Sequence, residues 1–214
     1  MRLSQIIILI FTLIASLSNP VFAEKADITL QKIKKYQPFI QRAALIFNIR
    51  PDYLSAVIYT ERTLNYDWTD DAWDVTMAKL GKNSSIGFCQ IKLKTAYFIE
   101  HQLDDPDSVF YLGQVHKNTM TISQTVAELI DKLMTPKLNI LYAAAYLKMM
   151  QTRWKNVGFP INNRPDILGT LYSAGLYNND GTERFPNKHP QANAFGKKVH
   201  DAVVLFQFIK KEGV

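Results

Sequence analysis

The sequence predicts an all-α protein that forms one domain. Apolar residues recur at the three- and four-residue spacing of amphipathic helices in segment after segment, whereas the alternating pattern of half-buried strands is scarce. The chain has no internal repeat, low-complexity tract or long Gly/Ser or Pro linker at which a second domain could begin. With 47% hydrophobic and 21% charged residues over 214 positions, its composition is typical of a globular domain with a substantial core.

Residues 1–23 have the layout of a secretory signal. Arg2 is followed by the apolar run from Ile6 to Leu13, and Val21-Phe22-Ala23 places small residues at the cleavage positions. The apolar run is too short to span a membrane comfortably, and no second run of spanning length follows it. We therefore expect a mature domain over residues 24–214, with no integral membrane segment, in the periplasm or secreted.

The first mature segment predicts two short helices and then a third that carries an acidic residue. Apolar residues recur at helical spacing from Ile28 to Ile49, with a break expected at Pro38. Pro51 suits the first turn of the next helix, which the polar run from Asn65 onward should end.

Glu61 lies near the end of this third helix and shares its apolar face. Leu54, Val57, Ile58 and Glu61 follow the i, i+3, i+4, i+7 rule, so the carboxyl group should point inward. Partial desolvation and the negative end of the helix dipole should both raise its pKa toward the range of a general acid. By itself, this position is more typical of a structural acid whose carboxylate reaches water, because structural acids far outnumber catalytic ones.

The segment from Asn65 to Ser85 loses helical periodicity and predicts a long loop with room for a short helix or hairpin. Long loops in compact domains are often functional. Trp68 and Trp73 in this loop could contact a ligand or cover the core, and Asp74 is one of several acids there.

The remainder of the chain predicts a turn followed by helices. Gly87 marks the turn, and Gly175 with the cluster at 178–181 ends the penultimate helix. Residues 106–123 show weak signals. Helices are expected from about 94, and over about 124–134, 137–154, 166–174 and 194–211.

Charge and residue usage narrow the classes of function. The formal charge of +6 favours an anionic polymer or surface as partner, but the basic residues are dispersed and no nucleic-acid motif is present, so nucleic acid is not expected. The four histidines show no paired metal-ligand spacing, and no Walker or Rossmann glycine pattern exists, so neither a metal nor a cofactor is expected. Cys89 is the single cysteine and cannot form an internal disulfide.

Four short segments occur in an order that is typical of one family. The first segment is the helix with a buried face that ends near Glu61. The second is residues 85–91 (SIGFCQI) with Thr95-Ala96, which is similar to the family pattern G-L-M-Q-I followed by T-A. Residues 138–147 (LNILYAAAYL) resemble N-I followed by G-x-x-Y-L, and residues 171–175 (LYSAG) resemble A-Y-N-A-G. Together they resemble the soluble lytic transglycosylase catalytic domain, a member of the lysozyme-like superfamily.

This resemblance extends over about residues 36–206 and implies a fold, an activity and a site. The fold would be lysozyme-like, and the enzyme, a lyase, would cleave the β-1,4 bond between N-acetylmuramic acid and N-acetylglucosamine in peptidoglycan glycan strands. Glu61 would be the sole catalytic acid/base and would form 1,6-anhydromuramic ends without a cofactor. A cell-envelope protein complex would be a further partner. The implied substrate-binding residues are Ser85, Gly87, Phe88, Gln90, Tyr146 and Tyr172.

Three positions depart from the family pattern, and two alternatives stay open. Arg62 stands where Ser usually follows the acid, Ser173 replaces Asn, and Cys89 replaces Met. A lysozyme-type hydrolase would need a second carboxylate, for which Asp74 is the candidate. The other alternative is a non-catalytic peptidoglycan-binding module on the same fold.

Overall fold

The computed structural model describes residues 24–64, 70–79, 82–178 and 180–212, without the side chains of 70–74 and 208–212. The predicted signal over 1–23 and Trp68 lie outside the described residues. The described chain is mainly helical, which confirms the all-α prediction. Its helices are α1 (Ala26–Ile46), α2 (Pro51–Leu64), α3 (Asp70–Lys79), α4 (Leu93–Asp104), α5 (Val126–Met134), α6 (Pro136–Asn156), α7 (Pro165–Ala174) and α8 (Ala194–Glu212).

The described chain also contains two very short strands and a 3-10 helix. Strands β1 (Ser85–Ile86) and β2 (Ile91–Lys92) form an antiparallel pair, with Ile86 opposite Ile91. The 3-10 helix Gln114–His116 lies in the segment between α4 and α5. All helices in the described part of the chain fall short of the length and apolar character that a membrane span requires.

Helix α1 is one continuous helix, so the predicted break at Pro38 is wrong. Proline removes one backbone donor, but the buried residues on its two sides lie on one face of the helix. Ile33 precedes Pro38, and Ile40, Ala43 and Ala44 follow it, all at most 3% exposed. This face packs against α2 and α6, and its burial outweighs the local cost of the proline.

Helix α6 is the central element of the core. It contacts α1, α2, α4, α5, α7 and β2, and the small residues Ala143–Ala145 are fully buried in it. Side chains without bulk allow neighbouring helices to approach closely. Helices α2, α6 and α7 each begin at a proline, which is suited to the first helical turn because its missing N–H has no intrahelical partner there.

Helix α8 closes the domain against α7 and α2. Its close approach to α7 depends on Gly196, where an added Cβ would lie 2.0 Å from the backbone oxygen of Asp166 and 2.3 Å from Thr170 Oγ1. As predicted, α7 ends at Gly175, which has a φ of 72°. The last turn of α2, the turn between β1 and β2, α6 and the end of α7 surround one cavity.

Candidate active site

The cavity has a volume of about 210 Å³ and brings together residues that are far apart in sequence. It is smaller than the pockets of roughly 300–1,000 Å³ that enclose small ligands, so its size suits contact with one part of a longer molecule. Predicted site residues in its lining are Glu61, Ser85, Gln90, Tyr146 and Tyr172. The other lining residues are Ile91, Lys92, Thr95, Ser173, Ala174 and Gly175.

Glu61 reaches this cavity from the last turn of α2 and is half-buried. Its charge acts on two neighbours. Burial raises the pKa of Tyr172 well above its ordinary value, and the charges of Cys89 and Glu61 raise it further. Burial likewise raises the pKa of the Cys89 thiol, with Glu61 adding to the increase and Arg62 opposing it. A tyrosine hydroxyl and a thiol that stay neutral therefore lie close to the carboxyl group.

Arg62, the departure next to Glu61, is directed away from the cavity lining. Consecutive residues of a helix do not share a face. Its Nε and Nη2 donate to the two carboxylate oxygens of Glu24, both at 2.8 Å, and its Nη1 donates to the backbone oxygen of Phe88 at 3.2 Å. The guanidinium also lies 4.9 Å from the centroid of the Phe88 ring. A buried, paired cation thus follows the candidate acid.

Gln90 enters the cavity from a turn that bends sharply between β1 and β2. Its φ is 54°, in the left-handed region that non-glycine residues seldom adopt. Its backbone N and its side-chain Nε2 both donate to the backbone oxygen of Gly87, at 3.0 and 2.9 Å. Such an outlier is held in place by its surroundings and is typical of functional sites.

Asn139 on α6 holds this turn in place through two hydrogen bonds from its side-chain amide. The residue is fully buried, and both ends of its amide are used: Nδ2 donates to the backbone oxygen of Ile86 at 2.9 Å, and Oδ1 accepts from the backbone N of Cys89 at 2.6 Å. These bonds hold the two sides of the turn against α6. The sequence motif around 138–140 contains Asn139, but nothing in that pattern indicated which backbone groups it would bond.

Gly87 supports the turn and does not appear in the cavity lining. Its φ is 77°, and an added Cβ would lie 2.2 Å from the backbone oxygen of Leu133 and 2.7 Å from Asn139 Nδ2. Only glycine combines this backbone conformation with so close an approach. The predicted contact of Gly87 with substrate stays a prediction.

Phe88 also lies behind the cavity lining rather than in it. It is 7% exposed and packs edge-on against Tyr36, with the ring centroids 4.7 Å apart, and the Arg62 guanidinium lies over its ring. The ring therefore joins α1, the end of α2 and the turn. Its predicted role in substrate binding stays a prediction, and its observed contacts are those of a core residue.

Tyr146 and Tyr172 both line the cavity and pack against the core, and their role in substrate binding stays a prediction. Their rings meet edge to face with centroids 6.0 Å apart. Tyr146 donates its hydroxyl to the backbone oxygen of Leu171 at 3.1 Å, and Tyr172 donates to the backbone oxygen of Cys89 at 2.6 Å. The two hydroxyls tie α6 to α7 and α7 to the turn.

Ser173 is a lining residue to which the sequence assigned no role. Its Oγ accepts from Asn193 Nδ2 at 3.0 Å and donates to the backbone oxygen of Thr170 at 3.3 Å. Asn193 lies just before α8, and its Oδ1 accepts from the backbone N of Gly196 at 2.7 Å. The motif at 171–175 was the signal that could have identified Ser173, Ala174 and Gly175 as lining residues.

Two further points concern Asp74, the candidate second carboxylate, and metal binding. Asp74 lies on α3, but its carboxylate is outside the described side chains, so the structure gives no distance from it to Glu61. Among the residues that the structure describes, no three His, Cys, Asp or Glu side chains cluster in a way that could hold a metal ion.

Comparison with known proteins adds no relative from which a role could be transferred. No protein-family model matches this chain, and no curated protein matches it either. The residues gathered around the cavity therefore indicate the function.

Proposed function

We propose that this protein is a peptidoglycan lytic transglycosylase that cleaves the β-1,4 bond between N-acetylmuramic acid and N-acetylglucosamine. The observation that carries the proposal is the cavity itself: Glu61 lies in one lining with Gln90, Tyr146 and Tyr172. These are the residues to which the resemblance gives the roles of acid, cleft wall and aromatic lining. A half-buried carboxyl group in a cavity that is also lined by aromatic residues is suited to general acid catalysis.

The proposed reaction uses Glu61 twice. The neutral carboxyl group first donates its proton to the glycosidic oxygen, and the bond from that oxygen to C1 of the muramic acid breaks with assistance from the sugar's own N-acetyl group. The Glu61 carboxylate then accepts the proton of the C6 hydroxyl as O6 attacks C1. A 1,6-anhydro ring forms, Glu61 is protonated again, and no water is consumed.

The contacts of the site suit this use of one acid. Desolvation favours the neutral form of a carboxyl group, which is the form that protonates a leaving group. Tyr146 and Tyr172 are among the lining residues, and their hydroxyls donate to backbone oxygens. The neighbouring cation Arg62 is bonded to Glu24, which satisfies its charge away from the lining.

The proposal includes where the protein acts and on what. The predicted signal over 1–23 supports a periplasmic or secreted protein, and the substrate would be the glycan strands of the cell wall. A formal charge of +6 favours association with an anionic polymer or surface. A cell-envelope protein complex as a further partner remains part of this proposal.

The test is mass spectrometry of the soluble products released from purified peptidoglycan. The full-length chain should release disaccharide-peptides with 1,6-anhydromuramic ends, and Glu61→Gln should release at least about a hundredfold less because an amide cannot donate the proton. Asp131→Asn is the matched control, since it makes the same acid-to-amide change at an exposed position of α5. Full activity of Glu61→Gln would contradict the assignment of the acid.

One observation keeps the hydrolase as a second candidate. Helix α3, which carries Asp74, contacts β1, and Ser85 of β1 lines the cavity. A carboxylate on α3 could therefore position a water molecule opposite Glu61. Reducing ends on the products, lost in Asp74→Asn, would establish the hydrolase; binding to cell wall without any product would favour the non-catalytic module.

A further inference from the structure

Glu24, the first described residue, is joined to the end of α2 by side-chain and backbone contacts. Its backbone N donates to the backbone oxygen of Arg62 at 3.2 Å, and its carboxylate forms a two-bond pair with the Arg62 guanidinium. Thr29 Oγ1 donates to the same carboxylate at 2.8 Å, and Lys32 forms an ion pair with it. The side chain of Glu24 is 7% exposed and that of Arg62 is 3% exposed.

Glu24 and Arg62 therefore form a nearly buried ion pair in which the Glu24 carboxylate has several hydrogen-bond partners. Burial of Glu24 acts to raise its pKa, but the hydrogen bonds from Arg62, Lys32 and Thr29 outweigh burial and lower the pKa to about 2. Glu24 is thus ionised at neutral pH. A planar guanidinium bound through two parallel bonds has little freedom to turn elsewhere.

Arg62 lies between this pair and the candidate site. Its backbone directly follows Glu61, and its third nitrogen donates to Phe88 in the turn that presents Gln90. Its charge and that of Glu61 act on the same buried thiol: burial raises the pKa of Cys89, Arg62 lowers it and Glu61 raises it. A cation this close would stabilise the ionised form of Glu61 if its charge were not neutralised.

We infer that Glu24 is a positioning residue for the candidate acid: its carboxylate neutralises Arg62 and holds it on the turn, so that Glu61 remains available as a proton donor. This inference rests on the function proposed above. Glu24 does not line the cavity, and it acts on Glu61 only through Arg62. Because Glu24 directly follows the predicted signal, removal of that segment would leave this residue at the start of the domain.

The test is the pH dependence of product release from peptidoglycan by the full-length chain and by Glu24→Gln. Loss of the carboxylate leaves the Arg62 charge without its strongest partner, so the alkaline limb of the profile should move about one pH unit lower. At a pH on that limb, the rate should fall about tenfold. The change should appear in kcat more than in KM, because the lining residues are untouched.

Other charged and titratable groups near Glu61 are the same in every variant. Among the described residues these groups are Cys89 on the turn, Lys92 on β2, Tyr146 on α6 and Tyr172 on α7. Lys32→Met is the matched control, because it removes another partner of Glu24 and leaves the pair with Arg62 in place. Its pH profile should coincide with that of the unmodified protein.

A double variant keeps the test decisive if Glu24→Gln fails to fold. Glu24→Gln with Arg62→Met removes both charges, which avoids an unpaired buried ion. Its alkaline limb should return to that of the unmodified protein. A limb that still moves by about one pH unit in the double variant, or a loss in Glu24→Gln that is equal at all pH values, would overturn the inference.

A spectroscopic measurement separates this inference from the proposed function. If the unmodified protein releases no product, the proposed function fails, but the titration of the Glu61 carboxyl carbon can still be followed by ¹³C nuclear magnetic resonance. The midpoint should move to lower pH in Glu24→Gln and not in Lys32→Met. An unchanged midpoint in a folded Glu24→Gln would overturn the role of Glu24 by itself.

Discussion

Asn139 shows how one side chain can determine the shape of the candidate site. It lies on the central helix α6 and bonds the backbone on both sides of the turn, at Ile86 and Cys89. A buried backbone group left without its partner costs about 1–3 kcal/mol. The geometry of the turn, and with it the position of Gln90, therefore depends on a residue that does not line the cavity.

We expect Asn139→Ala to lower the free energy of unfolding by about 2–4 kcal/mol, because it leaves two buried backbone groups without these bonds. Urea unfolding measures the change. The control is Asn83→Ala, which removes an exposed bond from the backbone N of Lys94 to Asn83 Oδ1 and should cost about 1 kcal/mol or less. Equal losses in the two variants would contradict a structural role for the buried amide.

At the scale of elements, the turn between β1 and β2 depends on glycine for two separate reasons. Gly87 has a positive φ, and its Cα lies close to the backbone of Leu133 at the end of α5. A residue other than glycine at a positive φ lowers the free energy of unfolding by about 1 kcal/mol. A side chain that also clashes with backbone atoms forces a neighbouring helix or strand to move, which costs more.

Gly87→Ala should therefore lower the free energy of unfolding by more than about 2 kcal/mol and reduce product release. Gly158→Ala is the matched control: its φ is 86°, but an added Cβ would meet nothing within 4 Å. Thermal unfolding and activity on peptidoglycan are measured for both. A Gly87→Ala protein as stable and active as Gly158→Ala would show that the close approach to Leu133 is unimportant.

Most helices could be predicted from sequence because the signals that start and end a helix lie within the segment itself. The bounds expected for α2 and α7 agree with the structure, since each has a proline at its start and a clear end signal. The break expected at Pro38 was wrong because the burial that keeps α1 continuous comes from α2 and α6, which the local pattern does not contain. Helix α3 falls within the segment where only a loop with room for a short helix was expected.

The sequence motifs identified several residues that line the cavity. They did not indicate the positions of residues that are fixed by contacts with segments distant in sequence. Glu61, Ser85, Gln90, Tyr146 and Tyr172 lie in one lining, as the motif order implied. The positions of Gly87 and Phe88 behind that lining follow from contacts with α5 and α1. Spacing along the chain carries no information about such contacts.

At the scale of the whole molecule, buried charges connect segments that are distant in sequence. Glu24 and Arg62 join the start of the domain to α2. In a separate cluster, the buried carboxylate of Glu100 accepts from Lys132, from Tyr142 and from the backbone N of Ser123. Removing one partner of a buried pair is far more costly than removing an exposed pair, so loss of either partner in these clusters should destabilise the fold.

The Glu24 cluster predicts a loss of stability in acid. The pKa of Glu24 is about 2 in the folded protein, compared with an ordinary value of 4.5, so its contribution is fully present above about pH 5. It is lost as the pH falls from about 5 to about 2, and amounts to roughly 2–3 kcal/mol. Unfolding by urea at a series of pH values should show a shallower acid dependence in Glu24→Gln than in Asp131→Asn. Parallel curves for the two variants would contradict the assigned cluster.

Digestion of purified peptidoglycan in water enriched in ¹⁸O tests the central claim most directly. A transglycosylase closes the ring with the sugar's own C6 oxygen, so the released muramic acid ends should contain no label and should be lighter than hydrolysis products by one water. The products should disappear with Glu61→Gln. Incorporation of one ¹⁸O at each new end would contradict the proposed reaction and would show that water, positioned by another group, is the nucleophile.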